Sequence, residues 1–351
     1  MNLQITTEAD DEEVKFKCKA KDKGEDMKMK DEITFKIKYD KDDGLTVKVE
    51  YESEIETEET ETESETQYVV RFDKFIEYAK SASSGSSDAY DWENDSVIKE
   101  VPLVGDGLNF AFGELMDDGN TATFTVTTVD ETGTMGLGAA EFTFTISRGG
   151  NDQALTANKM KIDFELMNYE WMQDDTFIAL LTSIETEREI DVDHEGKKGK
   201  KDDNTVAGDG LTVSFNDVMG DTDMPVFGEF TWAADATVRT MTNTTNGTEP
   251  VAMSRSGAGL ENLDATTPAT TIQVVATSPR AVEGSRYLDG TKTKGEEKIA
   301  FSFIGNAVHL ATDIYWDPEA GVGYESGAAT PISMMVMGAS VISTTIMYLF
   351  M

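Results

Sequence analysis

Alternation of apolar and polar residues is the feature that most constrains the fold of this chain. It runs through residues 14–21, 33–39 and 45–52, where nearly every second residue is apolar and lysine, threonine or glutamate fills the positions between. A period of two places successive side chains on opposite faces of a β-strand, whereas an α-helix requires a period near 3.6 residues. Because long helical periodicity is nearly absent, the sequence predicts an all-β protein.

The second and third of these segments are predicted to form a β-hairpin. Residues 40–44 read Asp-Lys-Asp-Asp-Gly and supply the turn signal between them. If Tyr39 pairs with Leu45, then Ile37 meets Val47, and the apolar residues of both strands share one face. Similar patterns predict further strands at 67–78, 96–104, 108–115, 121–129, 141–147, 159–169, 177–186, 211–218, 229–233, 271–277, 298–303 and 311–316.

The chain has 351 residues, enough for two ordinary domains. Gly-Gly-Asn-Asp at 149–152 is typical of a break between domains. The segment Gly-Asp-Gly-Leu at 105–108 recurs at 208–211, which favours two related halves. Short strands at this spacing favour β-sandwiches. We therefore predict two tandem β-sandwich domains, immunoglobulin-like or jelly-roll-like, at 1–150 and 151–325, followed by a hydrophobic tail at 326–351.

The C-terminal segment is the basis for predicting where in the cell the protein is located. No charged residue occurs from Gly327 to Met351, and Ser326 opens a run of three small residues. Small residues followed by a hydrophobic tail are typical of a GPI-attachment signal, which makes Ser326 the candidate lipid-anchor residue. Two alternatives stay open: a retained membrane helix, since about 20 apolar residues span a bilayer, and a terminus packed within protein.

Three asparagines, Asn94, Asn243 and Asn246, each lie in an Asn-X-Ser/Thr triplet, the acceptor sequence for N-glycosylation in exported proteins. Together with the tail they predict an extracellular, GPI-anchored glycoprotein of the cell surface. The single cysteine, Cys18, excludes an intrachain disulfide. Its place in the alternation after Phe16 predicts a small residue of the core.

The charge balance excludes one class of partner and suggests another. The chain holds 30 basic and 67 acidic residues, for a formal net charge of -37. Such a field repels nucleic acid and attracts cations, so we expect no nucleic-acid partner.

A run of alternating glutamates is the most prominent acidic feature. Side chains at every second position of a strand project from one face about 7 Å apart, and hard divalent cations prefer oxygen ligands. The alternative is a solvated face in which Lys30 faces Glu54 and Lys28 faces Glu56 across the predicted hairpin. The candidate cation- or mineral-facing residues are Glu50, Glu52, Glu54, Glu56, Glu61, Glu63 and Glu65.

A second candidate metal site follows the serine-rich stretch at 81–87. Asp91, Glu93 and Asp95 have the first three spacings of a calcium loop, and Asp88 precedes them. The glycine and the distal glutamate of an EF-hand are missing, so a solvated loop stays open as the alternative. Calcium is the one cofactor that the sequence suggests.

Catalytic signatures are absent from the sequence. His194 and His309 lie far apart, and neither a nucleophile elbow, a zinc motif nor a phosphate-binding loop occurs. We therefore predict a protein that is not an enzyme and name no catalytic residue.

Several segments together resemble the skeletal organic matrix protein 5-like family, which comprises coral skeletal matrix proteins and protist relatives. The most specific is Ile-Tyr-Trp-Asp-Pro at 314–318. The resemblance implies an extracellular, membrane-anchored matrix protein without catalytic residues. The other segments that carry it are 68–78, 88–91, 97–98, 161–165, 175–181, 228–232 and 236–238.

These observations lead to one expected function and two alternatives. We expect a structural component of the cell surface or matrix, held to the membrane by its tail, that binds calcium, other divalent cations or mineral through acidic faces. Other copies of the chain or other matrix proteins are expected as neighbours. The alternatives are an adhesion or recognition module and a subunit of an extracellular filament.

Overall fold

The computed structural model of the chain shows an all-β protein, as the alternation predicts. The described part of the chain contains 19 β-strands and no α-helix. The residues described are 4–10, 13–23, 27–40, 42–57, 61–84, 88–103, 108–129, 137–147, 158–191, 211–215, 226–240, 269–279, 292–305, 308 and 311–324.

The strands are numbered in the order in which they occur along the chain. The first ten are β1 (Gln4–Asp10), β2 (Glu13–Lys23), β3 (Met27–Asp40), β4 (Gly44–Thr57), β5 (Glu61–Ala79), β6 (Ser96–Pro102), β7 (Asn109–Phe112), β8 (Met116–Asp117), β9 (Thr121–Val129) and β10 (Ala139–Ser147). The remaining nine are β11 (Lys159–Met167), β12 (Phe177–Asp191), β13 (Leu211–Phe215), β14 (Val226–Trp232), β15 (Asp235–Thr240), β16 (Ala269–Thr277), β17 (Lys292–Ile304), β18 (Ala311–Trp316) and β19 (Glu319–Tyr324).

The first five strands form an antiparallel meander, in which each strand pairs with the next. The predicted hairpin register is confirmed, with Tyr39 opposite Leu45 and Ile37 opposite Val47. Gly44 ends the turn with a φ of 73°, a left-handed conformation that glycine adopts without steric cost.

The longest strand described, β5, joins the strands before residue 150 to strands after it. One edge of β5 pairs with β4 and β6, and the other edge pairs with β12. Antiparallel pairing runs on from β12 through β17, β16, β15, β18, β11, β10 and β9. Strands from both predicted domains therefore share one curled sheet, and the division into two tandem sandwiches stays a prediction.

In the described part of the chain, the larger of two clusters of buried hydrophobic residues spans both sides of residue 150. Phe72 and Phe164 lie at 5.0 Å and 5.3 Å from Phe142, measured between ring centroids. Such aromatic pairs each contribute about 0.5–1.5 kcal/mol beyond their area burial. Cys18 lies in the same core with 1% of its surface exposed, so its predicted place is confirmed.

A buried tyrosine hydroxyl ties two facing layers of the curled sheet together. The Tyr68 hydroxyl, on β5, lies 2.8 Å from the Glu229 carbonyl oxygen of β14 and 2.9 Å from the Gly321 carbonyl oxygen of β19. It also accepts a hydrogen bond of 2.8 Å from the backbone N–H of Gly321. Burial raises the pKa of Tyr68, so the hydroxyl stays a proton donor.

Replacing this hydroxyl should weaken the contact between the layers. We expect Tyr68→Phe to lower the free energy of unfolding by about 1–3 kcal/mol, because it leaves a buried N–H and two carbonyl groups without this partner. Urea denaturation followed by tryptophan fluorescence measures the loss. The matched control is Tyr39→Phe, whose hydroxyl lies 3.4 Å from the Leu108 carbonyl in a half-buried setting. Equal stability of the two variants would contradict the assigned role.

Asp31 places a carboxyl group on the inner face of β3. Its side chain is fully buried, and its Oδ1 atom accepts hydrogen bonds from the hydroxyls of Ser53 at 2.6 Å and Tyr51 at 3.2 Å. Within the described part of the chain its Oδ2 atom has no hydrogen-bond partner. Burial raises the pKa of Asp31 despite the two donors, since a low-dielectric setting disfavours the charged form.

This shift predicts a pH dependence of stability. A carboxyl group with a raised pKa in the folded state stabilises the fold below its unfolded pKa, about 3.9 for aspartate. That contribution is lost as the pH rises through the folded-state value. We therefore expect the free energy of unfolding of Asp31→Asn, relative to the wild type, to increase between about pH 4 and pH 7.

Urea titrations across this pH range provide the measurement. Asp174→Asn, at an exposed position, is the control and should run parallel to the wild type. A constant difference between Asp31→Asn and the wild type over the whole range would show that Asp31 has the same pKa in both states.

Candidate functional site

The outer face of β2–β5 carries two bands of opposite charge. Val47, Val49 and Tyr51 are fully buried, so the residues that alternate with them lie on the opposite face. We define the bands by these outward positions on the backbone. The lysine band comprises Lys15, Lys17, Lys19, Lys21, Lys23, Lys28 and Lys30 of β2 and β3, and the glutamate band comprises Glu50, Glu52, Glu54, Glu56, Glu61, Glu63 and Glu65 of β4 and β5.

Ion pairs join the two bands where they meet, between β3 and β4. The Lys28 ammonium lies 2.9 Å from the Glu56 carboxylate, and the Lys30 ammonium lies 3.4 Å from the Glu54 carboxylate. Both pairs match the cross-strand partners that the sequence predicts. All four side chains keep between 38% and 59% of their surface exposed, so each pair contributes at most about 1 kcal/mol.

Within each band, like charges lie opposite one another. Backbone register pairs Lys21 with Lys30 on β2 and β3, and Glu54 with Glu63 on β4 and β5. The same register pairs Lys23 with Lys28, Glu52 with Glu65 and Glu56 with Glu61. The side chains of Lys21, Lys23, Glu61 and Glu63 lie outside the described part of the structure. Like charges directly opposite destabilise a strand pair, so the described pair Glu52–Glu65 weakens the pairing of β4 with β5.

Glu52 and Glu65 form the pair in which both carboxylates are exposed and described. Directly opposite residues have Cβ atoms about 4.5–5.5 Å apart. Among the side chains that the structure describes, no basic group forms an ion pair with either glutamate. Glu50, by contrast, is paired with Lys48 on its own strand.

A small cavity opens beside the turn end of the same face. Its volume is about 250 Å³. Lys36, Lys38, Lys48 and Arg71 contribute basic groups to it, together with the carboxylates of Asp43 and Glu185. The basic groups have acidic neighbours at the rim; Arg71, for example, contacts Glu185 at 2.5 Å and Asp73 at 2.9 Å.

The predicted calcium loop is held together by two of its own carboxylates. Asp95 accepts hydrogen bonds from the backbone N–H groups of Ser81 at 3.0 Å and Asp91 at 2.7 Å, from the Ser84 hydroxyl, and from the Lys80 ammonium at 2.7 Å. Asp91 in turn accepts from the backbone N–H of Glu93 at 3.1 Å. Four donors already surround Asp95, so calcium could bind this carboxylate only by displacing some of them.

Two other residues of this loop, Asp88 and Glu93, are exposed. Asn94, the predicted glycosylation site, is exposed as well, and its side-chain amide donates a 3.0 Å hydrogen bond to Asp91. In the described ranges, no group of three or more histidine, cysteine, aspartate or glutamate side chains is arranged to hold a metal ion. The calcium site stays a prediction.

The electrostatics of Asp95 reflect these donors. Burial by itself would raise the pKa of this carboxyl, but Lys80, Ser84 and the backbone N–H groups outweigh burial and lower it. A carboxyl with a lowered folded-state pKa stabilises the fold above its unfolded pKa, and this contribution is lost as the pH falls through the folded-state value.

Neutralising this carboxylate should loosen the loop. We expect Asp95→Asn to lower the free energy of unfolding at neutral pH by about 1–3 kcal/mol, because the amide brings a donor among four existing donors. The difference from the wild type should shrink as the solution is acidified. Thermal melts with and without millimolar calcium provide the measurement, and Glu93→Gln at an exposed neighbouring position is the control. A calcium-induced rise in the wild-type melting temperature that Asp95→Asn abolishes would assign the loop to calcium.

The other predicted sites lie outside the described residues. These are the glycosylation sites Asn243 and Asn246 and the lipid-anchor candidate Ser326. The two histidines, for which no role is predicted, also lie outside the described residues. Throughout the described ranges, no helix combines the length and the apolar character needed to cross a membrane.

Sequence reasoning missed a buried carboxylate, Glu77 on β5. Its oxygens accept hydrogen bonds from the backbone N–H groups of Met172 and Gln173, both at 3.0 Å, and from the Thr176 hydroxyl at 2.6 Å. The nearby Tyr169 hydroxyl lies 3.4 Å from it. Glu77 therefore anchors the loop between β11 and β12. A sequence signal for a buried carboxylate was present, since Glu77 interrupts the otherwise apolar segment Phe-Ile-Glu-Tyr.

Comparison with protein-family models and with curated proteins finds no match for this chain. The resemblance to the skeletal organic matrix protein 5-like family therefore stays a prediction from the segments that carry it.

Proposed function

We propose that this chain is an extracellular, membrane-anchored structural protein of the cell surface or matrix, and that its glutamate band collects calcium or other divalent cations. The observation that carries this proposal is the exposed Glu52–Glu65 pair on neighbouring strands. Two carboxylates at this spacing repel each other. A divalent cation between them replaces that repulsion with attraction and finds the oxygen ligands that it prefers.

Weak and distributed binding fits this surface better than a single tight site. The described residues hold no compact set of three metal ligands, whereas the glutamate band repeats carboxylates along two strands. Extracellular calcium modules bind with dissociation constants of about 10⁻⁴–10⁻³ M, and we expect values at the weak end of this range. The net charge of -37 adds a long-range field that concentrates cations near the protein.

Two finer elements of the proposal concern architecture and anchoring. We retain two sandwich-like bodies divided near residue 150 as a proposal from the sequence. The contacts of Tyr68 on β5 with β14 and β19 join strands from both sides of that boundary. The pairing of β5 with β12 argues for tight coupling between them. Attachment through Ser326 and the following uncharged tail rests on the sequence alone.

A second candidate function, a recognition module, is favoured by the cavity beside the turn between β3 and β4. Four of its lining residues are basic in a chain that is otherwise strongly acidic. An acidic group on a glycan or a protein is the chemistry that such a cavity suits. This candidate predicts a stoichiometric ligand, in contrast to distributed uptake of cations.

Calcium calorimetry tests the cation role. We expect the wild type to take up calcium at millimolar concentration and physiological salt, and Glu52→Gln combined with Glu65→Gln to reduce this uptake, because the exposed carboxylate pair is gone. The matched control, Glu114→Gln combined with Asp174→Asn, removes the same charge from exposed positions elsewhere. Equal uptake by both double variants would mean that net charge alone attracts the ions. No uptake by the wild type would refute the cation role.

A further inference from the structure

The lysine and glutamate bands are complementary to each other in a way that a second copy of the chain can use. Each band is two strands wide, and the boundary between them runs along β3 and β4. A two-fold axis along this boundary, parallel to the strands, places the lysine band of one copy over the glutamate band of the other. Because the same operation acts on both copies, the contact is isologous and closes as a dimer.

The ion pairs already present at the boundary set the register of such a contact. Lys28 with Glu56 and Lys30 with Glu54 form two parallel pairs of exposed charges. Under the two-fold axis each lysine gains the glutamate of the second copy as a further partner. Each intrachain pair thereby becomes half of a ring of four alternating charges, in which every charge has two opposite neighbours.

The like-charge pairs within each band add a second reason for this contact. Among the described side chains, Glu52 lies opposite Glu65, and these like charges weaken the isolated sheet. Opposite charges scattered evenly over four strands would avoid this cost. Placing one band over the other surrounds the like-charge pairs of each copy with charges of the opposite sign.

We propose that the outer face of β2–β5 is a self-association surface, on which the lysine band of one copy binds the glutamate band of a second copy. Four strands span about 19 Å, and the four outward rows nearest the β4–β5 turn span about 27 Å. This area, about 500 Å² per partner, lies at the low end for specific interfaces. The association is therefore weak and suited to a protein that is crowded on a surface.

The net charge of -37 sets the conditions under which the contact forms. At very low salt the whole-chain repulsion opposes it. At physiological salt the Debye length is about 8 Å, so remote charges are screened while contact pairs persist. At about 1 M salt, where the Debye length is about 3 Å, the exposed contact pairs are weakened too.

A charge-swapped variant tests the surface without breaking the intrachain pairs. In Lys28→Glu, Lys30→Glu, Glu54→Lys and Glu56→Lys combined, each chain keeps two lysine–glutamate pairs across β3 and β4. The variant should associate with itself as the wild type does. It should reject the wild type, because lysines then face lysines and glutamates face glutamates across the interface.

Sedimentation of the full-length chain at physiological salt, with one of two mixed proteins fluorescently labelled, provides the measurement. We expect the mixed pair to associate at least about tenfold more weakly than either protein with itself, and all association to fall at about 1 M salt. Free mixing of variant and wild type, or association that survives 1 M salt, would assign contact to the apolar tail or to another face. A monomeric wild type at all salt concentrations would refute the proposal.

This surface does not depend on the proposed calcium role, and the two experiments can fail separately. Calcium uptake is read from the Glu52 and Glu65 variants, whereas self-association is read from the swap at four other positions. Binding of an acidic glycan to the lysine band is the competing explanation of that band. That explanation predicts that the wild type stays monomeric until a polyanion is added. A monomeric wild type in the sedimentation experiment would therefore refute self-association.

Discussion

Backbone pairing among β3, β4 and β5 fixes both the core and the charged face of this protein. A strand has a side-chain period of two, so the register that sends Phe35 and Val49 inward also sends the neighbouring lysines and glutamates outward. A slip by one residue would bury the charged bands and expose the aromatic residues. Burial of the apolar side chains therefore determines where every charge of the outer face lies, and the interactions between those charges are secondary consequences of the core.

The long strand β5 carries this register into the rest of the sheet. Its 19 residues pair with β4 and β6 along one edge and with β12 along the other. Tyr68 and Glu77, both on this strand, add polar ties to facing layers and to the loop before β12. These buried polar groups are satisfied by several partners each, which is the condition under which burial of a polar group is tolerated. The pairing of β5 with β12 thus couples the two halves, in addition to the pairing of β10 with β11.

The alternation of apolar and polar residues predicted those features of the fold that depend on neighbouring residues in the sequence. Alternation gave the all-β class, the β3–β4 register and the buried position of Cys18, because each follows from the two-residue period. The pairing of β5 with β12 could not be predicted, since about 100 intervening residues separate the partners and many strands compete for an edge. The hydrogen bonds of Asp31 and Asp95 could not be predicted for a related reason: their donors, such as Tyr51 and Lys80, come close only once the strands and turns have formed.

The segregation of charge has a consequence that joins the proposed cation role to the proposed self-association. Under the two-fold axis the outward row that contains Glu32 and Glu52 meets its own copy, so four carboxylates approach one another there. Glu32 is paired with Lys17 and Lys19, whereas no basic side chain that the structure describes forms an ion pair with Glu52. A divalent cation bound by Glu52 and Glu65 would remove the main repulsion left in the contact. Cation binding and copy-to-copy association would then favour each other, because each lowers the same electrostatic cost.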